Sequence, residues 1–142
     1  MNIGDIMTGS VITISEDEPV SAAAKLLKRN NIGSLPVHDG RGKLKGILTD
    51  RDIVLRCVAA GENPTEIRVG EIMTRSLVTA EAGEEASAAA DKMAKGRIRR
   101  LPVTESGILV GIVALADIAK NGDYEAEAAK ALCEISGSFR RA

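Results

Sequence analysis

The chain has 142 residues, 44% of them hydrophobic and 27% charged, with a formal net charge of -1. That balance suits one globular domain, or two small halves sharing a core. Tyr124 and Phe139 are the only aromatics and there is no long basic run, so a single-stranded nucleic acid finds no stacking platforms and a polyanion no footprint.

A self-comparison organises the rest. Ile3-Gly4-Asp5-Ile6-Met7-Thr8 returns 66 positions later as Val69-Gly70-Glu71-Ile72-Met73-Thr74. Ser21-Ala22-Ala23-Ala24 returns as Ser87-Ala88-Ala89-Ala90, and Leu35-Pro36-Val37 as Leu101-Pro102-Val103. One residue is then lost, and Gly46-Ile47 and Asp52-Ile53 match Gly111-Ile112 and Asp117-Ile118. Agreement over that distance marks a tandem duplication. The predicted division is a first domain at 1–62, a second at 63–122 and a C-terminal helical extension at 123–142.

Each repeat reads as a lead-in and then β-α-β-β-α, an α/β (α+β) grammar. The first strand is predicted at 11–14 and 77–80. A helix follows from about 19 to 29, with Pro19 at its first position, where a missing N–H costs little. Its counterpart is stopped by Gly96. A hairpin then joins 35–37 to 44–48, and 101–103 to 108–113. A second helix runs on to Gly61 in one repeat and to about Asn121-Gly122 in the other. The spacing predicts a last helix over 124–135, capped by Asp123, with Ala128, Leu132 and Ile135 inward. One repeat of about sixty residues buries too little surface to stand alone.

Within Gly46-Ile47-Leu48-Thr49-Asp50-Arg51-Asp52 a strand gives way to a helix. Thr49 or Asp50 is placed to cap it, and Asp52 sits in the first turn, where the helix dipole favours a carboxylate. Thr49 and Asp52 can also face one small polar ligand, such as a ribose diol, whose hydroxyls a carboxylate accepts. The alternative is that both only cap the helix. Cys57 and Cys133 read as packing residues, and His38 beside Asp39-Gly40 as a turn residue. With one histidine, neither a Ser-His-Asp triad nor a zinc site has its parts. No basic-plus-apolar leader or bilayer-length segment is seen, so a cytoplasmic, non-membrane protein is expected.

The duplicated Ile-Met-Thr lead-ins, the strands ending at Thr13 and Thr79, the two Leu-Pro-Val strands and the 46–52 run resemble the tandem cystathionine-β-synthase (CBS) domain pair, or Bateman module. The resemblance covers roughly residues 3 to 120. It implies a pseudo-two-fold pair with two clefts that bind adenosine derivatives, no catalysis, no required cofactor and a homodimer. Carried over by position, the first cleft takes Thr49 and Asp52 from one repeat and Thr79, Ile98, Arg99 and Arg100 from the other. Asp52 would hold the ribose, Ile98 the base, and an arginine the phosphate, which a guanidinium fork suits. The second cleft would take Asp117 with Thr13, Ile32, Gly33 and Ser34. It departs from the pattern at Ala114, where Thr or Ser is expected, and at Gly33-Ser34, where the first cleft has two arginines. Unequal clefts are therefore expected. The implied function is a regulatory module sensing an adenine nucleotide (AMP, ADP or ATP). The alternatives are a ligand-free dimerisation or scaffold module docking a partner enzyme or transporter, or a binder of S-adenosylmethionine or NAD.

Overall fold

The computed structural model describes residues 1–121 and 125–139. Each repeat builds one three-stranded sheet of mixed direction. In the first, β1 (Ile14–Ser15) pairs parallel with β2 (Ser34–His38), which pairs antiparallel with β3 (Leu44–Thr49). In the second, β4 (Ala80–Glu81), β5 (Arg100–Glu105) and β6 (Ile108–Ala114) repeat the plan. Parallel neighbours need a crossover, since a hairpin reverses the chain. The crossovers are α2 (Val20–Asn30) and α5 (Ala86–Gly96). Each buries a face of small and aliphatic residues, Val20, Ala23 and Leu27 in α2 and Ala86, Ala89, Ala90 and Met93 in α5.

Three expectations shift. Pro19 stands at the N-cap of α2, one place earlier than predicted. The strands predicted at 11–14 and 77–80 shrink to two residues each, leaving Thr13 and Thr79 just ahead of them. The register explains this: Ile14 faces Val37 and Ala80 faces Val103, so Thr13 and Thr79 fall level with Pro36 and Pro102, which have no N–H to donate. The third concerns the end of α5, where Gly96 is still helical and Arg97 takes the left-handed conformation, φ 55°, as Asn31 does after α2.

After β3 the chain enters α3 (Asp50–Ile53), which widens through Val54–Val58 into a turn closed by the Ala59 N–H on the Val54 carbonyl at 2.8 Å. Its counterpart α6 (Leu115–Ala119) keeps ordinary pitch and ends sooner.

Packing does not follow the repeat boundaries at 62 and 63. One compact unit is Ile12–Leu77; the other joins Met1–Val11 to the chain from Val78 onward. We call them the first-sheet and second-sheet units. Each therefore carries the lead-in of the other repeat. In the second-sheet unit α1 (Ile3–Ile6) buries Ile3, and Thr8 exchanges backbone hydrogen bonds with Ile112 at 2.8 and 3.0 Å. In the first-sheet unit α4 (Val69–Ile72) buries Val69 and Ile72, and Thr74 exchanges bonds with Ile47 at 2.8 and 2.9 Å. This approach accounts for the repeated Gly-Ile. A Cβ at Gly46 would lie 2.7 Å from Met73 Sδ and from the Thr74 carbonyl oxygen. One at Gly111 would lie 2.6 Å from Met7 Sδ and 2.8 Å from the Thr8 carbonyl oxygen.

The second-sheet unit also holds α7 (Glu125–Phe139), packed on α5 and α6. It buries Ala128, Ala131 and Ile135, while Leu132, predicted to face inward, is 47% exposed. The helix runs past its predicted end at 135; its predicted cap Asp123 and first residue Tyr124 lie outside the described residues. The first-sheet unit has no such helix, and Val54, Leu55 and Val58 are 55%, 51% and 66% exposed.

The repeats also differ at Lys92, whose counterpart 66 positions earlier is Leu26. The Lys92 ammonium donates to Glu84 Oε1 at 2.7 Å and to the Thr79 carbonyl at 2.8 Å. Burial pushes the Glu84 carboxyl up, but the Lys92 hydrogen bond, the Glu81 N–H and the Lys92 charge outweigh it, so its pKa lies below the ordinary value.

Two predictions follow from this packing. Gly111→Ala or Gly46→Ala should destabilise by about 1–3 kcal/mol, the usual cost of overpacking, read as a lowered unfolding midpoint; an unchanged midpoint would contradict the close approach. Lys92→Met tests the ion pair through pH. A lowered folded-state pKa contributes stability above the unfolded carboxylate range that is lost as pH falls through the folded value. The stability gap between parent and Lys92→Met, measured by urea unfolding, should therefore close on acidification, and a gap that widens refutes the assignment.

Candidate ligand-binding site

In an antiparallel hairpin the start of one strand lies beside the end of the other. Each short helix therefore begins next to the start of the middle strand of its own repeat. In the first-sheet unit the Asp50 N–H donates to the Gly33 carbonyl at 2.9 Å, and Ser34 pairs with Thr49. In the second-sheet unit the Leu115 N–H donates to the Arg99 carbonyl at 2.8 Å, and Arg100 pairs with Ala114. The expected grouping took the Thr-x-x-Asp residues and the middle strand from opposite repeats. Within each unit the hairpin brings together Gly33, Ser34 and Thr49, and Arg99, Arg100 and Ala114.

The two aspartates differ in what they already hold. Asp52 is 9% exposed. Its Oδ2 accepts the Thr49 N–H at 3.0 Å, and the Asp52 N–H donates in return to Thr49 Oγ1 at 3.0 Å, a reciprocal cap. The Thr74 hydroxyl, brought in by the lead-in, is 3.3 Å from both carboxylate oxygens, and Arg56 Nε is 3.9 Å from Oδ1. The capping role is thus realised and most of the acceptor capacity is used. Asp117 is half-buried and its Oδ2 accepts the Ala114 N–H at 2.9 Å. Alanine has no hydroxyl to complete the cap, and Oδ1 takes no hydrogen bond among the described residues. The same carboxylate-to-backbone bond starts α1, from Asn2 to Asp5 at 3.2 Å, and α4, from Arg68 to Glu71 at 2.7 Å. An acid three residues into a short helix is thus a structural habit of this chain, and its spare acceptors decide what else it can do.

The other predicted residues sort by exposure. Thr13 and Thr79 are half-buried, and the Thr79 carbonyl is held by Lys92. Ile98 packs against the core of its own unit, whereas Ile32 and Gly33 are exposed and Ser34 is half-buried. Arg99 and Arg100 are both exposed, and neither guanidinium forms an ion pair or hydrogen bond among the described residues.

Both arginines line a cavity of about 530 Å³ in the second-sheet unit, within the range of small-molecule pockets. Across from them, the end of β6 and α6 supply Ala114, Leu115, Ala116 and Ala119. A further wall comes from α7, through Ala128, Ala129 and Leu132. Sequence reasoning missed that wall; the signal for it was the alanines at 114, 116, 119, 128 and 129, whose small side chains leave space. The cavity joins two cations, unpaired among the described residues, to an apolar lining, a combination chemically suited to an anion that carries an apolar group. Among the described residues no cluster of three or more His, Cys, Asp or Glu is placed to hold a metal, and no helix is long and apolar enough to cross a membrane.

Residues 3–58 and 69–123 each match the family model of the CBS domain. The chain is 42% identical over 135 residues to the CBS domain-containing protein YhcV of Bacillus subtilis, covering 95% of both. It is 37% identical over 131 residues to Hypoxic response protein 1 of Mycobacterium tuberculosis, covering 91% of this chain and 92% of that one. The crystal structure of Hypoxic Response Protein I with two coordinated zinc ions matches with a TM-score of 0.79 at 37% identity, covering 84% of this chain and 98% of that one. The CBS domain pair of protein MJ0100, solved with 5′-methylthioadenosine and S-adenosyl-L-methionine, matches with a TM-score of 0.73 at 34% identity, covering 88% and 98%. With two tandem matches laid over a duplicated sheet-and-helix plan, this chain belongs to the CBS domain family, as a tandem CBS pair.

Proposed function

We propose that this CBS pair is a non-catalytic regulatory module whose ligand is an adenosine derivative carrying phosphate, of the AMP, ADP or ATP type. The observation that carries the reading is the pair of guanidinium groups, Arg99 and Arg100, on an alanine-lined cavity, neither of them paired among the described residues. Phosphate oxygens suit them through charge-assisted, bidentate hydrogen bonds. The adenosine part suits the alanine walls; Asp117 does not itself line the cavity, but it is hydrogen-bonded to Ala114, which does, and its spare oxygen suits a ribose hydroxyl. MJ0100 was solved with methylthioadenosine and S-adenosylmethionine. Two guanidinium groups disfavour a cationic sulfonium, so phosphate is the better match for this chain. The first-repeat set of Thr49, Asp52, Ile32, Gly33 and Ser34 is the weaker candidate, since Asp52 is occupied with its cap and with Thr74.

Calorimetric titration with AMP and adenosine tests this. Arg100→Ala should weaken AMP about ten- to a hundredfold, the worth of bonds to a charged group, and leave adenosine nearly untouched. Asp117→Ala should weaken both ligands. Asp52→Ala should instead act on stability, costing about 0.5–2 kcal/mol as a lost cap. Equal AMP affinity in the parent and in Arg100→Ala would overturn the phosphate assignment.

A homodimer accompanies this reading, supported by Val54, Leu55 and Val58, which are exposed on adjoining turns of a unit without an α7 of its own. Sedimentation should give a two-copy mass at micromolar concentration, and Val58→Lys should shift it toward one copy. A one-copy parent rules the dimer out.

A further inference from the structure

Helix α7 has no counterpart in the first repeat, yet it forms one side of the arginine-lined cavity. Its residues divide by face. Ala128, Ala131 and Ile135 are buried in the core of the unit, and Ala129 and Leu132, three residues apart and so on one stripe, are exposed. Both lie on the cavity wall. Leu132 is thus a large apolar side chain left nearly half in water, on a helix whose inward positions are almost fully buried, and it stands beside an open volume. Alanines 116 and 119 on α6 and alanines 128 and 129 on α7 keep that volume clear. The cavity is therefore sided: guanidinium groups at the β5 edge, an aliphatic surface on α7.

We propose that Leu132 is a ligand-contact residue, packing on the base of the nucleotide whose phosphate meets Arg99 and Arg100, and that ligand binding is coupled to the seating of α7 on α5 and α6. This rests on the reading that the cavity takes a nucleotide. Leu132 and the arginines then act on different parts of one molecule. By linkage, whatever factor the ligand adds to the docking of α7, a well-docked α7 returns to ligand affinity.

The test uses the full chain with AMP and adenosine as probes. Leu132 is half-exposed, so its substitution leaves the core intact. Leu132→Ala should weaken AMP and adenosine alike, about three- to tenfold for the apolar surface no longer covered, in contrast to Arg100→Ala, which spares adenosine. Saturating AMP should slow hydrogen exchange of the α7 backbone amides. Ile135→Ala, which loosens α7 without lining the cavity, should also weaken AMP. If the parent binds AMP while Leu132→Ala binds it equally well and α7 exchange is unchanged, this proposal falls and the nucleotide reading stands. If the parent binds neither probe, both fall.

Discussion

Where Thr8 meets Ile112 and Thr74 meets Ile47, the lead-in backbone lies so close to the sheet that only glycine fits beside it, at 111 and 46. Much else depends on that approach. It seats Ile3 in one core and Val69, Ile72 and Met73 in the other. Each core is therefore completed by a segment distant in sequence, and loop-closure entropy must be overcome before the contact rewards it. The second lead-in also brings the Thr74 hydroxyl to Asp52. The close approach at Gly46 thus carries in one of the partners that Asp52 holds.

Duplication supplied two equal frames, and substitution made them unequal. Thr49 closes a reciprocal cap with Asp52, but Ala114 cannot close one with Asp117. Gly33-Ser34 opens one hairpin and Arg99-Arg100 the other. Lys92, in the place of Leu26, ties down the backbone ahead of β4 through Thr79. The arginine pair and Lys92 add charge to the second repeat, while Ala114 takes a capping hydroxyl away from it. The chemistry gathers where the local structure leaves groups unsatisfied, because a buried group with its hydrogen bonds complete has little to offer a ligand.

Much of the fold was legible in the residues. The 66-residue shift, the Leu-Pro-Val strands and the turn residues carry the repeat, the hairpins and the two crossover helices. The destination of the lead-ins was not legible: a glycine in a strand announces a close approach without saying what approaches. The shortness of β1 and β4 could have been read from Pro36 and Pro102, had the register been known. The neighbours of the arginines were also within reach, since a hairpin over 101–113 places residue 100 opposite residue 114. The two Asp-Ile starts look alike in sequence, and only the third dimension shows that Asp52 has Thr74 and Arg56 beside it, whereas Asp117 Oδ1 takes no hydrogen bond among the described residues. In α7, alanine-rich composition blurs the apolar stripe, so Leu132 and Ala131 could exchange faces without disturbing the pattern.

The out-of-phase packing bears on where the chain can be divided. The repeat in the sequence has a period of 66 residues, whereas one packed unit is Ile12–Leu77 and the other joins Met1–Val11 to the chain from Val78. A cut between residues 62 and 63 would leave each fragment with a lead-in whose glycine-marked groove lies on the other fragment, and with a groove of its own that nothing fills. Neither repeat is thus a module that can be lifted out alone.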